Sequence, residues 1–131
     1  MPALDYQRDE HRVHLIVYHL VWTPKRRKAV LHGLIARDCE KLIRQKCAER
    51  EWDVLRLAIQ PDHVHLFVRV RPTDSASEVV KECKGLTSRV LRQTYSALLK
   101  LPSLWTRSYL ASVIEPTPAQ IADYTDSQRG I

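Results

Sequence analysis

The sequence predicts an α+β fold of the ferredoxin-like type: a four-stranded antiparallel sheet with two helices on one face. Three observations predict it. Four short stretches are rich in β-branched and aromatic residues, one of them alternating strictly. Two longer stretches between them carry apolar residues at three- and four-residue spacing. The resulting order, β-α-β-β-α-β, is that of a split β-α-β plait. A chain of 131 residues can build one such core without disulfides or structural metals, and no linker, repeat or low-complexity segment divides it. Residues 1–131 therefore read as a single domain.

The first ten residues form a polar lead-in. Residues 11–22, H-R-V-H-L-I-V-Y-H-L-V-W, predict a long buried strand that Thr23-Pro24 terminates. Lys25, Arg26, Arg27 and Lys28 follow as a basic loop. Apolar residues at 34, 35, 39, 42, 43 and 47 predict a helix over 34–50. Strands at 52–60 and 63–70 flank Pro61-Asp62, which predicts a hairpin. Ser75, with Glu78 three residues on, matches a capping box and opens a second helix. Its apolar stripe is Ala76, Val79, Val80, Cys83, Leu86, Val90 and Leu91, while Lys81, Lys84, Ser88 and Arg92 recur on another face. Pro102 closes that region, and 107–114 reads as the fourth strand. Thr117, Pro118 and Gln120 supply an N-cap, a first-turn proline and an N3 partner for a final helix over 118–128.

Hydrophobic residues at 44 % and charged residues at 27 % are ordinary globular usage, so disorder is not expected. Twenty-one Lys and Arg against fifteen Asp and Glu leave a charge of +6, which suggests a polyanionic partner, nucleic acid or an acidic surface. Cys39, Cys47 and Cys83 form no C-x-x-C pair and fall in the helical apolar stripes, so they read as small buried hydrophobes in a reducing compartment. Early charges interrupt any leader-like run, and no apolar stretch approaches the roughly 20 residues that span a bilayer. A cytoplasmic protein without membrane contact is the expectation.

The chemistry concentrates in two places. On the strand at 63–70, alternation points Val64, Leu66, Val68 and Val70 one way and His63, His65, Phe67 and Arg69 the other. Two imidazoles two residues apart on one strand face can share a cation. The same residues can also be surface histidines beside a basic patch. Asp62 can orient an imidazole from behind, or serve the turn with Pro61. On the final helix, Tyr124 and Gln128 are four residues apart and share a face. A phenol at its free pKa of roughly 10 needs a polarised phosphate and help with its proton to attack phosphorus. Gln128 adds a neutral oxygen ligand suited to Mg²⁺ or Mn²⁺. Tyr124 alone is more often a packing residue than a nucleophile. His19 reads as a packing or hydrogen-bonding residue rather than a ligand. Trp22, Trp52 and Trp105 read as core first and base-stacking platforms second. Lys84, Ser88, Arg89 and Arg92, with the basic run from Lys25 to Lys28, are candidate phosphate contacts; a solvated helix face is the plain alternative.

Four blocks carry a resemblance to a known family. They are Tyr18-His19-Leu20-Val21-Trp22 with its basic run, Gln60-Pro61-Asp62-His63-Val64-His65-Leu66, Lys81-Glu82-Cys83-Lys84-Gly85-Leu86-Thr87-Ser88-Arg89, and Leu104-Trp105 through Tyr109 followed by Tyr124-x-x-x-Gln128. In that order they resemble the single-tyrosine HUH transposases of small bacterial and archaeal insertion sequences, called TnpA. The resemblance implies a homodimer in a prokaryotic cytoplasm, with no small-molecule cofactor, whose terminal helix brings Tyr124 to its own or the partner's site. It implies Mg²⁺ or Mn²⁺ on His63, His65 and Gln128, attack by Tyr124 on single-stranded DNA, a 5′-phosphotyrosine, and recognition of DNA hairpins. One departure bears on turnover: where many relatives have glycine before the tyrosine helix, this chain has Ile114-Glu115-Pro116-Thr117-Pro118, which stiffens φ.

Two other classes fit the same residues. A non-catalytic single-stranded or hairpin nucleic-acid-binding module on the same fold needs neither tyrosine nor metal. Phosphodiester hydrolysis by metal-bound water needs the histidines but not Tyr124.

Overall fold

The structure is a computed structural model that describes residues 15–114. Its elements are β1 (Ile16–Trp22), α1 (Gly33–Glu49), β2 (Asp53–Gln60), β3 (His63–Val70), α2 (Ala76–Thr94) and β4 (Leu110–Ile114), with 3₁₀ turns at Lys25–Arg27 and Ser96–Lys100. The strands form one sheet in the order β2-β3-β1-β4, and every neighbouring pair is antiparallel. With β3 inserted between β1 and β2, this is the expected plait. The final helix over 118–128, and 11–14 of the first strand, lie outside the described residues.

The core is built by strand alternation. Val64, Leu66, Val68 and Val70 of β3 lie opposite Trp22, Leu20, Tyr18 and Ile16 of β1, and all four β3 residues are buried. Ile43, Cys39 and Cys47 of α1 and Val79, Val80, Cys83 and Leu91 of α2 cover that face. Burial pushes the Cys39 thiol up to about 12, so it stays protonated and behaves as a hydrophobe. Leu66 is fully enclosed in this cluster. Leu66→Ala is expected to cost about 2–5 kcal/mol, read as a shifted midpoint in urea denaturation; a midpoint unchanged from wild type would show that the cluster is not the stabilising core.

The tryptophans pack inside. Trp22 and Trp105 meet edge to face at 6.2 Å. Trp105 Nε1 donates to the buried Thr87 Oγ1 at 2.9 Å, and that hydroxyl donates to the Cys83 carbonyl at 2.7 Å. Thr87 therefore enters the core as a polar residue with both bonds satisfied, which apolar periodicity alone does not reveal. Trp52 Nε1 donates to Asp74 at 3.2 Å while Arg50 lies over its ring.

The ends of elements show where local signals hold. The Ser75 hydroxyl accepts from Glu78 N at 3.0 Å, but the Glu78 carboxylate pairs with Arg50, the residue that caps the end of α1, so tertiary attraction takes it from its reciprocal capping role. Helix α1 begins at Gly33 with φ +59°, a conformation that suits glycine. Leu34, in that first turn, is 57 % exposed rather than part of the apolar stripe. The fourth strand starts at Leu110, not at 107, because the carbonyls of Thr106, Arg107 and Ser108 turn to the Lys84 ammonium instead of a neighbouring strand. No helix among the described residues is long and apolar enough to cross a membrane.

Candidate active site

The sheet face away from the helices displays His63, His65, Phe67 and Arg69, as strand alternation dictates. Pairing to β1 adds His19, whose register partner is Phe67. The rings of His63 and His65 lie 4.7 Å apart, nearly perpendicular.

Each of these two imidazoles is held from behind through Nδ1. Asp62 Oδ1 lies 2.7 Å from His63 Nδ1, and Asp62 Oδ2 accepts from Arg27 at 3.2 Å. The bond to His63 chiefly, with help from the Arg27 charge, holds the Asp62 carboxyl below the usual carboxylate range against an opposing desolvation. An ionised carboxylate only accepts, so His63 Nδ1 bears a proton, and the neutral ring then has its lone pair on Nε2. His65 Nδ1 lies 3.0 Å from His19 Nε2. Burial foremost, then the nearby His63 and His19, holds His65 below the ordinary histidine value. It therefore stays neutral, as a ligand must, further into acid than a free imidazole.

These residues fit two places in the coordination sphere of a divalent cation, each with an engaged Nδ1 and, among the described residues, no hydrogen-bond partner at Nε2. Among the described residues no group of three His, Cys, Asp or Glu side chains forms a metal-holding cluster, so a cation held here would need further ligands from elsewhere. Gln128 and Tyr124, the sequence candidates for completing the site, lie outside the described residues. His19 packs and hydrogen-bonds, as its sequence reading has it, but that His65 is its partner is the feature sequence reading missed. Its signal is a cross-strand diagonal that exists only once β1 and β3 are in register.

The basic candidates fall on the turn after β1 and along α2. Lys25 stands in a turn whose backbone is anchored by Lys25 N donating to the Leu104 carbonyl at 2.8 Å. Arg26 and Arg27 hold left-handed φ values of 59° and 52° there, so the turn keeps an uncommon geometry. Arg26, Arg27 and Lys28 are exposed, and Arg27 reaches back to Asp62. Between α2 and the loop at 103–109 runs a groove of about 610 Å³ lined by Lys25, Lys81, Lys84, Ser88, Arg107 and Tyr109 among others, with no acidic residue among the described residues of its wall. Ser88 also borders a second groove of about 490 Å³ with Arg89 and Arg92. Two further candidates, besides Arg27, are already engaged. The Lys84 ammonium donates to Thr106 O at 2.7 Å and Ser108 O at 3.1 Å, and Arg92 donates to Leu101 O at 3.0 Å. Phosphate contact by Lys84 would need that ammonium to leave those carbonyls. Arg89 and Lys81 are exposed.

The comparisons with known proteins bear on this geometry. A family model described as "Transposase IS200 like" matches residues 12–128. The chain belongs to the IS200-like transposase family. The ISDra2 transposase TnpA of Deinococcus radiodurans is 33 % identical over 129 residues, 95 % of this chain and 92 % of that protein. The transposase for insertion sequence element IS200 of Salmonella typhimurium is 26 % identical over 114 residues, 85 % of this chain and 75 % of that one. A Deinococcus radiodurans crystal structure described as a candidate transposase superposes with TM-score 0.72 at 30 % identity, covering 88 % of this chain and 92 % of that one. The REP-associated tyrosine transposase, solved bound to a REP hairpin, shares the fold at TM-score 0.58 and 16 % identity, over 86 % of this chain and 61 % of its own. As an IS200-like transposase the chain is a DNA-processing enzyme. The family match runs through both histidines of β3 and on through Tyr124 and Gln128.

Proposed function

We propose that this transposase cuts and rejoins single-stranded DNA at insertion-sequence ends, with Tyr124 as nucleophile and His63, His65 and Gln128 as ligands of Mg²⁺ or Mn²⁺. The observation that carries this reading is the pair of β3 imidazoles on the sheet face away from the helices, each engaged at Nδ1 and neither using Nε2 in a hydrogen bond to another described residue. When bound, the cation polarises the scissile phosphate. Tyr124 Oη then forms a bond to phosphorus as the bond from phosphorus to the 3′ oxygen breaks. The phenol gives up its proton and the departing 3′ oxygen takes one up, leaving a 5′-phosphotyrosine and a free 3′-hydroxyl. Attack by a 3′-hydroxyl on that ester reverses the step, so strands are exchanged with the number of ester bonds conserved.

Hairpin DNA is the proposed partner, and the wall of Lys25, Lys81 and Arg107 beside α2, with Arg89 further along, supports it. A homodimer is part of the proposal. β4 is the last strand of the described sheet, and its Leu110 and Val113 are 71 % and 65 % exposed, apolar surface that a second copy would cover.

The test is incubation with end-labelled single-stranded DNA from the gene's own flanks plus Mn²⁺, followed by a denaturing gel. A labelled species that survives denaturation and disappears on proteinase treatment is the expected result, and EDTA should prevent it. Cleaved DNA without that species would point to water as the nucleophile. Salt-sensitive hairpin binding without cleavage would point to a non-catalytic module.

A further inference from the structure

Among the described residues, His19 makes the one direct side-chain hydrogen bond between β1 and β3 that reaches a candidate ligand. It sits diagonally from His65 across the ladder. Its ring stacks on Phe67 at 4.2 Å and 9° and lies within 13° of parallel to His65 at 5.3 Å. The stack fixes the plane in which Nε2 approaches His65 Nδ1 at 3.0 Å. A hydrogen bond between two neutral imidazoles needs one N–H and one lone pair, and an imidazole binds a cation through the nitrogen without the proton. If His19 donated, the His65 proton would sit on Nε2 and block the face where Nε2 of His63 is available. If His19 accepts, His65 presents Nε2 beside it.

We propose that His19 is a positioning residue: it accepts from His65 Nδ1–H and so holds His65 in the tautomer whose Nε2 is open to a divalent cation. The inference rests on the reading of His63 and His65 as metal ligands. It makes the pair unequal, because His63 is backed by the Asp62 carboxylate and His65 by a neutral ring. A carboxylate fixes the direction of its bond by itself. An imidazole can serve as donor or acceptor, so His65 depends on the geometry that the Phe67 stack imposes on His19.

Two variants test it. His19→Phe keeps a ring to stack on Phe67 and removes the acceptor; His19→Gln supplies an amide oxygen instead. The first readout is the ¹⁵N pattern of the imidazole rings in metal-free protein, which reports the tautomer directly. Wild type is expected to show His65 protonated on Nδ1, and His19→Phe to lose that pattern. The second readout is Mn²⁺ binding followed by electron paramagnetic resonance. His19→Phe is expected to bind about 10- to 100-fold more weakly, with most of the affinity restored in His19→Gln. A wild-type His65 protonated on Nε2 overturns the proposal, and so does His19→Phe binding Mn²⁺ as wild type does. Should His19→Phe fail to fold, the wild-type ring pattern still decides. Failure of the metal reading looks different: His65→Ala would then leave Mn²⁺ binding intact whatever the tautomer.

Discussion

Tyr124→Phe is expected to abolish the covalent protein–DNA species while leaving hairpin binding nearly intact. The substitution removes one oxygen, the atom that would bond to phosphorus, and no other group in the proposal can take its place. The ring stays, so any packing of the terminal helix is kept. At most one hydrogen bond is lost on binding, about 0.5–1.5 kcal/mol, which is roughly a tenfold change in Kd or less. Adduct yield and affinity should therefore separate: the first falls to background and the second barely moves. Adduct formation by the phenylalanine variant would sink the nucleophile assignment. Undiminished cleavage without adduct would favour hydrolysis by bound water.

His63→Ala and His65→Ala are each expected to reduce metal-dependent cleavage to the level seen in EDTA. Each removes one of two imidazoles on a centre that has no three-residue cluster among the described residues to fall back on. Both side chains lie on the open face of the sheet rather than in the core, so the variants should fold, and their melting curves check that. The pH profile adds a sign. A histidine must be neutral to bind metal, so activity should fall as acid protonates the ligands. His65 is held below its ordinary value of 6.5, so its own loss on acidification comes at lower pH than a free imidazole would give. Cleavage by either alanine variant at the wild-type rate in Mg²⁺ would remove the β3 pair from the mechanism.

The fold was legible in the sequence to a large extent. Alternation over 63–70 placed Val64, Leu66, Val68 and Val70 in the core and the two histidines opposite them, and the structure has them there. The Ser75 cap and the two-residue hairpin at Pro61-Asp62 were readable as well, since each depends on neighbours within a few positions. The fourth strand was read too long. Its propensity is continuous from 107, but Lys84, 22 or more positions earlier, captures the carbonyls that a longer ladder would use. Thr87 was missed as a core residue because its burial depends on a tryptophan 18 positions on. The site was legible in residue type and partly in place: His63, His65 and Asp62 come together as local spacing requires, whereas the residues around Tyr124 lie outside the described region.

By itself, then, the sequence determined the order of the elements, which face of β3 is apolar, and that two imidazoles and a carboxylate sit side by side at the start of that strand. These follow from the two-residue period of a strand and from contacts within a turn, which a linear chain contains explicitly. Only the tertiary structure decided what stands behind each imidazole. Arg27 reaches Asp62 from 35 positions away and His19 reaches His65 from 46. Sheet register sets the His19 contact, and a slip of one residue between β1 and β3 would turn His19 to the opposite face from His65. Propensity is blind to that choice; packing Leu20 and Trp22 against Leu66 and Val64 makes it.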